Sequence, residues 1–161
     1  MGSFFVMSNR FNKSAASDFG LDPIDKTTAI DPKNGSVWIM TELYDFGWGK
    51  EIGFYKEPLP DFDALFDIAI HSNDRDDMYG SAAIILDKYP YELLCKCELM
   101  IDPLNNKKDF MRMVLLFDLE KPLNRCETVH KTIKEIRDDF ARWKRVSDVA
   151  KRINGSNEYC Y

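Results

Sequence analysis

The sequence has only two histidines and lacks the local motifs of most nucleotide-dependent and nucleophilic enzymes. Neither glycine-rich phosphate-binding pattern, GxGxxG or GxxxxGK[ST], occurs in the chain. The glycines of GWGKEIG, residues 47–53, have the wrong spacing for such a loop. No local signature accompanies a cysteine that a histidine would activate. We therefore favour a protein that is not an enzyme.

Metal-binding patterns are also missing. Cys95 and Cys97 are separated by one residue, whereas zinc knuckles place about two to four residues between ligands. The run DPKNGSVWIMTE has acids at the first and last positions of an EF-hand loop, but Lys33 occupies a ligand position, which excludes calcium. We expect no metal and no cofactor, and we expect the cysteines to be reduced thiols, mostly in the core.

Long apolar runs are absent as well. No stretch approaches the roughly 20 apolar residues that a membrane-spanning helix needs. The first residues, MGSFFVMSNRFNKS, lack the hydrophobic region of a signal peptide. We expect a cytoplasmic protein without a membrane partner.

The charges are distributed unevenly. The formal net charge is −5. Residues 128–154 carry a net charge of +4, whereas residues 1–127 carry −8. An acidic body disfavours nucleic acid as a partner and attracts a basic protein. The basic residues of 128–154 form a solvated face, pair with acids of the body, or make a basic docking strip.

Apolar residues recur with helical spacing from Asp61 onward. Asp61 is the expected N-cap of the first helix, and breaks at Ser72-Asn73, Pro90 and Asp102-Pro103 separate the following ones. Gly80 lies within the second helix, where it predicts a close contact. The expected helices cover roughly 61–71, 74–89, 91–101, 106–118 and 126–153. In the last helix the apolar residues follow a heptad-like spacing.

These patterns predict a mostly α fold of five or six helices, arranged as a short HEAT-like α-solenoid or as an irregular bundle. The segment 36–56 fits either a short helix, which we favour, or a small β-hairpin near 37–55. We expect an irregular N-terminal arm over 1–35, one helical domain over 36–154, and a polar tail over 155–161. The expected state is a monomer or a weak dimer.

Acids crowd the stretch HSNDRDDMYG, residues 71–80. One interpretation is local, because acids at a helix start accept orphan backbone N–H groups and suit the helix dipole. The other is a negative surface for a basic partner, formed by the helix-start acids with acids upstream. The candidate partner-binding residues are Asp63, Asp67, Asp74, Asp76 and Asp77, and changing the last three together to Asn is expected to spare the fold.

The runs LYDFGWGKE and DFDALFDIAIHSNDRDDMYGSAAIILDKYPYELL resemble small helical bacterial immunity-type proteins that accompany polymorphic toxins. The resemblance implies no enzymatic activity and implies binding of a toxin, often through an acidic surface. We therefore expect a non-enzymatic protein-binding domain that neutralises a basic toxin. The alternative is a small enzyme with a pocket around the Gly/Trp-rich segment 46–55, using a cysteine or a carboxylate.

Overall fold

The chain folds into helices and a β-sheet. The computed structural model describes residues 2–7, 15–45, 50–102 and 106–155. The strands are β1 (Phe5–Met7), β2 (Asp22–Pro23), β3 (Thr28–Ile30), β4 (Val37–Asp45) and β5 (Lys50–Lys56), with a short 3-10 helix at Ala16–Phe19. The helices are α1 (Phe62–His71), α2 (Arg75–Lys88), α3 (Pro90–Ile101), α4 (Lys107–Leu116) and α5 (Ile133–Gly155).

The prediction of a mostly α fold was wrong. The five strands form one antiparallel sheet in the order β1-β5-β4-β3-β2. The segment predicted as an irregular arm over 1–35 contributes three of these strands and the 3-10 helix. The hairpin left open near 37–55 is present, since β4 pairs with β5, so neither a solenoid nor a helical bundle describes the chain.

A β-bulge explains why β4 was misinterpreted as helical. The pairing of β4 with β5 shifts between Glu42 and Tyr44, so that Leu43 is an extra residue. Trp38 and Leu43 are both buried, and their spacing of five breaks the strict alternation of a strand. Gly53 belongs to the same irregularity, because a Cβ there would lie 2.5 Å from Leu43 Cδ1.

Two compact units divide the chain, Met1–Ile84 and Ile85–Tyr161, with the boundary inside α2. In the first unit, one cluster of buried side chains involves the sheet and the 3-10 helix: Val6, Ala16, Leu21, Ala29, Trp38 and Phe54. The Phe19 ring meets the Phe54 ring edge-on, at 5.9 Å between centroids. Trp38 Nε1 donates to Ser36 Oγ at 3.0 Å, so the buried indole is satisfied.

The second unit contains α3 and α4, both of which contact α5. Its largest fully buried side chain is Trp143. The Arg125 guanidinium lies 4.9 Å from the Trp143 ring centroid. Arg125 also donates to the carbonyl oxygens of Phe117 and Asp118, at 3.2 and 2.8 Å. This one side chain therefore ties the irregular segment 117–125 to α5.

Helix α5 begins later than the expected residue 126. His130 has a φ of 65°, which is incompatible with a helix, and a capping box of Thr132 and Glu135 starts α5. Asp61 is the N-cap of α1 as predicted, accepting from Ala64 N at 3.0 Å. The predicted polar tail lies outside the described residues beyond Gly155.

Candidate functional site

Helix α1 carries two exposed carboxylates on one face. Asp63 and Asp67 are four residues apart, so they are neighbours on the helix surface, and both are exposed. Asp67 Oδ1 lies 2.8 Å from His71 Nδ1, one turn further along. The Asp67 side chain remains 74% exposed in this pair, so its carboxylate is still accessible to a partner.

Asp74 starts helix α2. Its Oδ1 accepts from the backbone N–H groups of Asp76 and Asp77, at 2.9 and 3.1 Å. Ser72 Oγ in turn accepts from Asp74 N at 3.0 Å. This is the N-cap arrangement that the local interpretation predicted, and it occupies one oxygen of the Asp74 carboxylate.

Asp77 is buried, with 4% of its surface exposed. Its Oδ1 accepts from Phe4 N and Phe5 N at 2.8 and 2.9 Å, and its Oδ2 accepts from Ser3 N at 2.8 Å. Gly2 permits this wrapping, because a Cβ there would collide with Asp77 Oδ1 and with the Phe5 carbonyl oxygen. The carboxylate thus anchors the start of β1 and does not lie on the surface.

Asp76 binds the same strand further along. It accepts a backbone hydrogen bond from Met7, and it is half-buried. Burial raises the pKa of the Asp76 carboxyl, as do the charges of Asp74 and Asp77, while the Met7 hydrogen bond opposes the rise. Asp76 is therefore costly to ionise.

Together Asp76 and Asp77 seal an edge of the sheet. Within the described part of the chain, β1 is an edge strand that pairs with β5. Phe5 and Met7 are two residues apart, so their N–H groups point to the same side of the strand, and both donate to α2 carboxylates. Unpaired N–H groups on such an edge invite pairing with another chain, and these carboxylates occupy them.

Gly80 completes the contact between α2 and β1, as its position in a helix predicted. A Cβ at Gly80 would lie 2.5 Å from Phe5 Cγ. The Phe5 ring therefore lies directly on the backbone of α2, and Phe5 is fully buried. Sequence reasoning identified Gly80 and the capping role but missed the partner strand, since no periodicity marks a strand of three residues.

The pocket predicted for the enzyme alternative surrounds a segment that the structure describes only in part. Residues 46–49 lie outside the described part of the chain. A groove of about 440 Å³ is lined by Val37, Tyr55, Glu57, Pro58 and Leu59. Tyr55 belongs to the predicted segment. Among these five lining residues Glu57 supplies a carboxylate, and none is a cysteine. Among the described residues, no group of three or more His, Cys, Asp or Glu side chains is arranged to hold a metal ion.

The three cysteines within the described ranges are free thiols, and two of them are deactivated by burial. Cys95, Cys97 and Cys126 form no disulfide, and the last two are buried, as expected for reduced core cysteines. Burial raises the pKa of the Cys97 thiol to about 12. Burial also raises the pKa of Cys126. Since the thiolate is the reactive form, neither group is prepared for nucleophilic attack at neutral pH.

Several basic residues of α5 pair with acids in the second unit. Arg142 binds Glu98 through Nε, at 2.9 Å, and lies 5.2 Å from the Tyr91 ring centroid. Arg145 binds Asp102 at 2.9 Å. These pairs fulfil one of the interpretations of the basic helix, in which its charges meet acids of the body.

Comparison with protein-family models, curated proteins and solved structures finds no match to this chain. Among the described residues, none of the helices combines the length and the apolar character that crossing a bilayer requires.

Proposed function

We propose that the chain is a non-enzymatic protein-binding domain that docks a basic protein on the exposed carboxylates of α1. The observation that carries the proposal is that some of the candidate acids bind the backbone of the fold and others are exposed to solvent. Asp76 and Asp77 hold β1 and Asp74 caps α2, whereas Asp63 and Asp67 remain exposed. Of the five candidate acids, Asp63 and Asp67 are therefore the most accessible to a partner.

The charge of the chain also supports a basic partner. The net charge of −8 over residues 1–127 attracts a basic partner at long range and raises the rate of encounter. By its resemblance to immunity-type proteins, the partner is a basic toxin that the chain neutralises in the cytoplasm. Asp74 and Asp76 stay candidates for the rim of this surface through their remaining oxygens.

The experiment is a binding measurement on the full chain, tagged and exposed to lysate of its own source at low and high salt. We expect a basic protein to be retained at low salt and released at high salt. Once that protein is purified, Asp63→Asn with Asp67→Asn should weaken its binding by about tenfold or more, because two charge contacts are lost.

The matched control is Glu127→Gln with Asp138→Asn, which removes the same charge from two exposed acids of the second unit. The control variant should bind as the wild type does. If both double variants weaken binding equally, the effect comes from the net charge of the chain and not from the α1 surface. If the Asp63/Asp67 variant binds as the wild type does, the α1 surface is not the binding site. An empty column would return the alternative of an enzyme to consideration.

A further inference from the structure

Helix α5 is buried along only part of the apolar seam that its sequence predicts. From the middle of the helix onward, Trp143, Val146 and Ala150 are each at most 1% exposed. In its first half, Ile133 is 70% exposed and Phe140 is 42% exposed. Toward the start of α5, some residues of the predicted apolar seam are therefore not covered by the rest of the protein. Ile133 and Phe140 expose large apolar side chains to solvent.

The exposed apolar residues share a face with basic ones. At about 100° per residue, five exposed side chains fall within an arc of about 60° on α5. These are Ile133, Arg137, Phe140, Lys144 and Lys151, which we call the α5 stripe. The stripe is separate from Arg142 and Arg145, which bind Glu98 and Asp102.

The spacing within the stripe is seven residues. Ile133 and Phe140 are seven apart, and so are Arg137, Lys144 and Lys151. In paired helices, apolar residues at this spacing form the seam, and flanking charges at the same spacing select partners of opposite charge. Asp148 adjoins the stripe, because its Oδ2 lies 2.7 Å from Lys144 Nζ and it interacts with the charge of Lys151 as well. Such an exposed pair within one helix is weak and exchanges readily for another acid.

We propose that the α5 stripe binds an acidic amphipathic helix of another protein, which packs apolar side chains on Ile133 and Phe140 and places carboxylates beside Arg137 and Lys144. Charge complementarity and the shared seven-residue spacing select this occupant. The surface differs from the acidic face of α1 in both sign and location, so the inference is independent of the function proposed above.

The test uses two synthetic helical peptides of about four heptads with leucine at both seam positions. One peptide carries glutamate at the flanking positions, and the other carries lysine there. Binding to the full chain is followed by fluorescence anisotropy. We expect the glutamate peptide to bind at least about tenfold more tightly than the lysine peptide, and its affinity to fall as salt is raised.

Variants assign the binding to the stripe. Arg137→Glu with Lys144→Glu should reverse the preference between the two peptides. Ile133→Ser with Phe140→Ser should lower the affinity for the glutamate peptide by about tenfold or more, because both apolar contacts are removed. The matched control, Lys108→Glu with Lys134→Glu, reverses two exposed lysines outside the stripe and should keep the wild-type preference.

Equal binding of the two peptides, or a charge-reversed variant that keeps the wild-type preference, would overturn the proposal. Vesicles containing phosphatidylserine serve as a second probe. Binding to these vesicles without binding to the glutamate peptide would assign the stripe to an anionic surface and would also overturn it. Far-UV circular dichroism confirms that each variant is folded before its affinity is compared.

Discussion

Helices α1 and α2 both begin with a capping aspartate followed by further acids, yet these following acids have different roles in the two helices. Each helix follows an aspartate that caps its N-terminus, Asp61 for α1 and Asp74 for α2. On α1 the following acids, Asp63 and Asp67, are exposed. On α2 they bind the backbone of β1. The difference lies in the neighbour, because a strand edge lies against the first turn of α2. The charge pattern of a helix start therefore does not by itself distinguish a surface from an internal anchor.

The largest effect should come from Asp77→Ala. The substitution leaves the N–H groups of Ser3, Phe4 and Phe5 without their acceptor, and the last of these is buried. We expect the free energy of unfolding to fall by about 2–4 kcal/mol. Urea denaturation followed by circular dichroism measures the loss. The combined Asn variant of Asp74, Asp76 and Asp77, which the sequence predicted to fold normally, should lose less stability, because an amide at position 77 keeps one acceptor oxygen and loses only the one that binds Ser3 N. A wild-type denaturation midpoint for Asp77→Ala would contradict the anchoring role.

Gly80→Ala should produce the next largest effect. The added methyl group would overlap Phe5 Cγ, and crowding of this kind costs about 1–3 kcal/mol, against which alanine's better helix propensity returns at most about 1 kcal/mol. Thermal unfolding measures the net loss. Gly155→Ala is the matched control, since nothing lies within 4 Å of a Cβ there. In a Phe5→Leu background the cost of Gly80→Ala should shrink, and equal costs in both backgrounds would place the strain elsewhere.

The pH dependence of stability in an Asp76→Asn variant tests whether the α2 acid is buried at a cost, unlike the exposed acids of α1. The raised pKa of Asp76 means that the folded chain binds its proton more tightly than the unfolded chain does. The resulting stability is fully present below the unfolded pKa of about 3.9, and it is lost as pH rises through the higher folded value. At neutral pH the ionised carboxylate is therefore a cost, and an amide oxygen still accepts from Met7. We expect the variant to be at least as stable as the wild type at pH 7.

The difference in stability between the Asp76→Asn variant and the wild type should narrow as the pH is lowered from 7 toward 4, because the pH then approaches the raised pKa of the wild-type carboxyl. Denaturation midpoints of both proteins across this range provide the check. A difference that widens in acid would mean that the hydrogen bond from Met7 outweighs burial.

The smallest effect should come from α1. Asp63→Asn with Asp67→Asn alters exposed side chains, and we expect stability to change by less than about 0.5 kcal/mol at neutral pH. Differential scanning calorimetry against the Asp77→Ala variant compares the two helix starts directly. A loss comparable to that of Asp77→Ala would show that the α1 acids also serve the fold.

The helices were predictable where packing follows one period. Leu65, Phe66, Ala69 and Ile70 recur as predicted and are all buried. The strands could not be predicted, and the reasons are local. β1, β2 and β3 are only two or three residues long, and the bulge at Leu43 interrupts the alternation of buried and exposed residues in β4. Near the candidate site, the sequence predicts Asp61 as the cap of α1 and leaves Asn73 and Asp74 as alternatives for the cap of α2, where the structure has Asp74. The anchoring by Asp77 does not follow from the sequence, since its partners lie more than seventy residues away.

The two buried tryptophans give each unit of the chain its own optical reporter. Trp38 belongs to the first unit and Trp143 to the second, and each is at most 3% exposed. Indole emission shifts to longer wavelength when the ring meets water. With Trp48, which lies outside the described residues, replaced by phenylalanine, a single further Trp→Phe change leaves one emitter. The two resulting proteins would reveal whether the halves melt in one cooperative step or in succession.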